Sequence, residues 1–274
     1  MTVRRLARRE VVDALRSYWF VLDAALFTAG GLALVLFGGG DAEVLGYRGY
    51  ARALAGLAQL AMFFVPLMAL FPATAALAGD REAGTLEYVL AQPVTRGEVF
   101  LGTWVGVATA VLLSLVAGFG VIGTVAVARG VPGALVAGLL GFTLLLGAAF
   151  TSVGLWLSAG ASTRSRATSL GLTVWIFLLA LGSLGVMGAL VRWGLPASAL
   201  EAWTLANPVE AFRVAMVAVL DPEASVLGPV GASLIGTLGR GGLVAAAAGS
   251  LLLWSAAAAG LGLRRLATYT EPRS

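Results

Sequence analysis

The stretch from Val99 to Leu157 reads VFLGTWVGVATAVLLSLVAGFGVIGTVAVARGVPGALVAGLLGFTLLLGAAFTSVGLWL, and Arg129 is its only ionisable residue. On either side of that arginine, Val99–Ala128 and Val131–Leu157 each exceed the roughly 20 apolar residues that cross a hydrocarbon core. The runs are continuous and do not alternate, so the crossings are helices and not barrel strands. Only Arg129 and Gly130 intervene before Val131 and Pro132, which predicts a tight helical hairpin.

Four further spans lie outside this hairpin: Tyr18–Phe37, Leu54–Ala78, Ala167–Val191 and Leu243–Leu263. The expected fold is an all-α membrane protein with six transmembrane helices, forming a single domain over 1–274. Composition agrees. Of 274 residues, 59% are hydrophobic and 12% charged, with a mean hydropathy of +0.93. A soluble domain carries about 25% charge, so this chain has too little polar surface to be solvated as a globule.

Three absent residue types exclude whole classes of chemistry. Without Cys there is no thiol or iron–sulfur ligation. Without His the commonest general base and metal ligand is missing. Without Lys there is no Walker A loop, so the chain is no ordinary P-loop ATPase, and a Ser–Lys dyad is impossible. An intramembrane serine or metalloprotease is excluded on the same grounds. The net charge of +4 is carried by arginines between apolar spans, where it reports membrane orientation and not nucleic acid.

Orientation follows from those arginines. With the N-terminus in the cytoplasm, Arg4, Arg5, Arg8, Arg9, Arg16, Arg81, Arg96, Arg164, Arg166, Arg264, Arg265 and Arg273 lie inside. Arg48, Arg52, Arg129, Arg192, Arg213 and Arg240 lie outside. The bias places both termini in the cytoplasm, at an inner (plasma) membrane. Residues 1–16 form a basic amphipathic helix on the membrane surface. Val3, Leu6, Ala7, Val11, Ala14 and Leu15 share its apolar face. Inside the spans Asp23 is the only acidic or basic side chain, which argues against an ion-coupled carrier. Pro66 and Pro72 kink span two, whose polar side chains are Gln59 and Thr74.

Two segments between spans carry information. Residues 79–98 read GDREAGTLEYVLAQPVTRGE. Asp80 is expected to cap a short amphipathic helix, with Glu82 in its first turn and Ala83, Leu86 and Leu90 on one face. Pro93 stops it. Thr95 and Glu98 form a T-x-x-E capping box that opens span three. The expected product is a rigid elbow that contacts another protein. The second segment, 192–242, is a large outer excursion. Asn207 reads as an N-cap, Pro208 as the first helical residue and Glu210 as a first-turn acid, giving a helix from Pro208 to Leu220. Ala197–Leu205 is expected as a second short helix. Asn207, Pro208, Glu210, Phe212, Arg213 and Met216 are the candidate contacts for an extracytoplasmic partner.

The run Asp-Arg-Glu-Ala-Gly-Thr-Leu-Glu from Asp80, followed by Gln-Pro-Val-Thr-Arg to Arg96, resembles the signature of ABC-2 type permeases, the layout of type V exporters. In that family the segment is a coupling helix that docks on a cytoplasmic ABC ATPase dimer. The resemblance implies ATPase-coupling roles for Asp80, Arg81, Glu82, Gly84, Thr85, Leu86, Glu87, Pro93 and Arg96. Asp80 stands where the family often has Glu, and Thr103 where a Lys is common. It also implies a homodimer, with ATP and Mg bound by the partner ATPase and no cofactor on this chain.

The chain length, the Asn-Pro-Val-Glu-Ala-Phe-Arg run from Asn207 and the later Leu-Gly-Pro-Val-Gly stretch resemble one branch, the permeases of nitrous oxide reductase maturation. That branch pairs with a periplasmic β-helix protein and supports assembly of a copper–sulfur centre. Copper itself would need soft or imidazole ligands. Met1, Met62, Met68, Met187 and Met216 are the only soft donors, so a sulfur species or mechanical transmission fits better. Two readings stay open beside it: a generic exporter of a lipid, drug or glycan, and a membrane scaffold without energy coupling.

Overall fold

A computed structural model describes residues 3–38, 50–180, 196–220 and 228–268. Helix α1 (Val3–Arg16) leads into α2 (Tyr18–Phe37), α3 (Tyr50–Glu82), α4 (Thr85–Leu90), α5 (Arg96–Ala128) and α6 (Gly133–Gly160). Then come α7 (Arg164–Ala180), α8 (Ala197–Ala206), α9 (Pro208–Leu220) and α10 (Gly228–Ala267). Five of these (α2, α3, α5, α6 and α10) are long and apolar enough to cross a membrane. The expected fifth span, Ala167–Val191, is described as α7 as far as Ala180, and 181–191 lie outside the described residues.

The spans are apolar on nearly all sides, and burial selects their packing faces. In α2 the buried residues Phe20, Asp23, Phe27, Gly31 and Val35 recur every three or four positions, the spacing of one helical face. Phe27 meets Phe119 of α5 at a centroid separation of 5.5 Å. Asp23 is buried on this face, and its Oδ2 has no hydrogen-bond partner. Tyr18 and Trp19 project outward at the start of α2, where amphipathic rings favour the membrane interface.

α3 is the central element. Its 33 residues extend about 50 Å, more than the ~30 Å hydrocarbon thickness, so its last turn can stand clear of the bilayer. Leu54, Ala61, Val65, Ala69, Ala73 and Leu77 are fully buried along it. Its closest neighbour is α6: a Cβ on Gly154 would lie 2.6 Å from Ala73 Cβ, so only glycine lets these helices approach so far.

The α5–α6 hairpin forms as expected. Its turn is closed by the Val131 amide donating to the Ala126 carbonyl, with Gly130 at φ 89°. Two expectations change. α1 does more than lie on a surface: it packs against α5, where Gly106 leaves room for the Ala7 carbonyl, and it buries Leu6, Glu10 and Ala14. The last span is also longer than Leu243–Leu263, because α10 starts at Gly228 and is broken at Gly239 (φ 69°, ψ 167°). α8 and α9 meet at a 101° bend.

Candidate functional site

The elbow between α3 and α5 is built from helix ends. α3 continues through Asp80, Arg81 and Glu82, then stops where Gly84 takes a left-handed conformation (φ 68°) that glycine adopts at little cost. Asp80 therefore does not cap the short helix, and Glu82 is not in its first turn. Both belong to the end of α3, and α4 is confined to Thr85–Leu90. Thr85 Oγ1 turns back to donate to the Asp80 carbonyl (3.1 Å) and to Asp80 Oδ1 (3.0 Å), closing the turn. Arg9 of α1 pairs with the same Oδ1. The T-x-x-E box at the exit forms in full. Glu98 N donates to Thr95 Oγ1 (3.2 Å), and Thr95 N donates to Glu98 Oε2 (2.7 Å).

Three charged elbow residues bond to the ends of other helices. The Arg81 guanidinium donates to the carbonyls of Ser158 (3.3 Å), Ala159 (3.1 Å) and Ala161 at the end of α6. Glu82 Oε2 accepts from the Arg164 amide (2.9 Å) at the start of α7. Arg96 Nη1 donates to the Leu266 (3.2 Å) and Ala267 (3.1 Å) carbonyls at the end of α10. Each sign suits the partial charge of the helix end it meets: cations at carbonyl ends, an anion at an amide end.

The tip is exposed, as are Glu82, Ala83 and Thr85 at its root. Leu86 and Val89 are buried, anchoring α4, while Glu87, Tyr88, Ala91, Gln92 and Pro93 face outward. Tyr88 is 77% exposed. No local sequence pattern marks Tyr88, which follows Glu87 on the outer side of α4. A large aromatic held out by a rigid, anchored turn suits the centre of a protein contact.

Beside the elbow, α1, α3, α5 and α7 enclose a polar recess of about 310 Å³ lined in part by Arg9, Glu10, Asp13, Asp80 and Arg164. Burial, and then the neighbouring Asp80, push the Glu10 carboxyl up to about 7.

The second candidate surface is corrected. Asn207 does cap α9, since its Oδ1 accepts from the Val209 amide (3.0 Å), and its Nδ2 donates to the Leu178 carbonyl of α7 (2.8 Å). But Asn207, Pro208, Glu210, Phe212 and Met216 are all buried within the chain. Glu210 is 1% exposed and accepts from Arg213 Nε at 2.8 Å. α9 packs against α3, α6, α7 and α10, so its side chains are core and not an open partner surface. Of this set only Arg213 reaches partial exposure. It borders an apolar cavity of about 450 Å³ between the ends of α2, α3 and α9.

A bundle of long apolar helices with a capped, outward-presenting turn defines an all-α membrane protein. The chain belongs to the ABC-2 family: the model described as ABC-2 family transporter protein matches residues 4–269. It is 32% identical over 228 residues to a probable ABC transporter permease protein NosY from Pseudomonas aeruginosa, covering 80% of this chain and 83% of that protein. The Stutzerimonas stutzeri protein of the same description is 30% identical over 236 residues, covering 82% and 85%.

Proposed function

We propose that this chain couples a separate cytoplasmic ABC ATPase dimer to movement of a homodimeric permease, and that the ATPase docks on the Glu87–Pro93 tip of the elbow. The exposure of Tyr88 above the buried Leu86 and Val89 carries this reading. Arg81, Glu82 and Arg96, which the family resemblance places in the coupling set, contribute here by fixing the elbow to helix ends. The arginine distribution supports an elbow on the cytoplasmic side of the inner membrane, with both termini there. ATP and Mg belong to the ATPase, and no cofactor is assigned to this chain.

The relatives' description supports a place in nitrous oxide reductase maturation. Within that reading the chain passes force, or a sulfur species, toward an extracytoplasmic partner such as a periplasmic β-helix protein. The testing experiment is pull-down of the neighbouring ATPase by the purified permease in lipid. Tyr88→Ala combined with Glu87→Arg abolishes co-purification, while the folded yield is kept. Retention of the ATPase by this variant rejects the docking surface. In cells, loss of the chain leaves nitrous oxide reductase without its copper–sulfur centre; an intact centre favours the generic exporter.

A further inference from the structure

Consecutive residues of opposite charge grip the two sides of one turn. Arg81 holds the carbonyl end of α6, and Glu82 holds the amide start of α7 at Arg164. One turn further back along α3, Ser158 of α6 bonds to the helix backbone. Its Oγ accepts from the Ala78 amide (2.8 Å) and donates to the Thr74 carbonyl (2.8 Å), the i and i−4 groups of one helical rung. Thr74 Oγ1 also lies 3.2 Å from Thr168 Oγ1 of α7. Ala78, Ala161 and Ala167 pack together in a small cluster between these bonds. The three helices share no sequence continuity at this level, apart from the short α6–α7 turn.

The geometry points to Arg81 and Ser158 as positioning residues that fasten α6 to the root of the elbow, so that displacement of the tip carries α6 with α3. This deepens the docking reading above and rests on it. α6 reaches the elbow end only at its last turn, and Arg81 and Ser158 tie that turn directly to α3. Main-chain carbonyls at a helix end are good acceptors for a guanidinium fork, which can meet several at once. A hydroxyl bonded to both an amide and a carbonyl of a neighbouring helix ties the two backbones together.

The test uses the full chain with its ATPase in lipid nanodiscs. The natural sequence has no cysteine, so Gly141→Cys, at an open position on α6, gives one label per copy. The expected result is a change in label separation between the two copies when ATP analogue and Mg are added. In Arg81→Gln, and separately in Ser158→Ala, that change shrinks about five-fold or more, and in Ser158→Ala, which lies outside the docking set, ATPase affinity stays at the wild-type value. Arg81→Lys falls between wild type and Arg81→Gln. A full-sized change in both Arg81→Gln and Ser158→Ala overturns the inference, as does an α6 label that stays still in the wild type while the ATPase is bound and hydrolysing. Failure of the ATPase to bind the wild-type chain is a different result, and it overturns the docking reading instead. If Arg81→Gln does not fold, Ser158→Ala decides alone.

Discussion

Glu82 Oε2 accepts a hydrogen bond of 2.9 Å from the backbone nitrogen of Arg164, the first residue of α7. The acid that ends one helix therefore starts another, far away in sequence. A first-turn amide is an orphan donor, and a carboxylate there is favoured by charge as well as by the bond.

Glu82→Gln keeps an acceptor but removes the charge. The expected cost is about 0.3–1 kcal/mol, read as a lower unfolding temperature and faster amide exchange at residues 164–166. Glu82→Ala costs more, because the amide loses its partner.

Gly154→Ala places a Cβ at 2.6 Å from Ala73 Cβ, below any real carbon contact. Backbone faces backbone here and neither can yield by rotating a side chain. The helices must separate, at about 1–3 kcal/mol. Reduced folded yield in detergent and a lowered unfolding temperature are the measurements. Gly141→Ala, at an open position, serves as the control with no effect.

Glu10 gives the chain a pH response. Its carboxyl is raised from an ordinary 4.5 to about 7 by burial first and by Asp80 next, with Asp13 adding to the rise and Arg9 opposing it. In the folded state the proton is held more tightly than in the unfolded state. The stabilising effect is therefore present below about pH 4.5 and is lost as pH rises toward 7. The stability difference is on the order of 3 kcal/mol at most. Glu10→Gln mimics the protonated form, so its unfolding temperature exceeds wild type at pH 8 and matches it near pH 5. Equal pH profiles in the two proteins would refute the assignment.

Asn207→Ala removes both the α9 cap and the bond to the Leu178 carbonyl. Loss of the cap alone costs about 1 kcal/mol, and the buried carbonyl left behind adds to it. Asn207→Asp keeps the cap but cannot donate to Leu178, so its stability falls between the two. Thermal unfolding of the three proteins checks that order.

Much of this was legible in the sequence because each signal was local. Tyr18–Phe37 was read to the residue, and the Thr95–Glu98 box, the Arg129–Pro132 hairpin and the Asn207 cap all form as their residue types require. These depend on neighbours three or four positions apart, which a sequence displays directly. The errors came from partners distant along the chain. Asp80 looked like a cap because Asp often is one, yet α3 runs past it until Gly84 ends the helix. Phe212 and Met216 lie on an apolar face that could have met a partner or a core. Only the packing of α9 against α3, α6, α7 and α10 shows that the core takes them. Arg81 and Ser158 sit about 80 positions apart, and no local pattern announces that one ends on the other's helix.

The Ser158 hydroxyl is a cross-tie on α3 just before the elbow. An amide and a carbonyl of one helix are both bonded to a single side chain of another, at residues closed to solvent. Sliding α3 past α6 at this level would break both bonds at once.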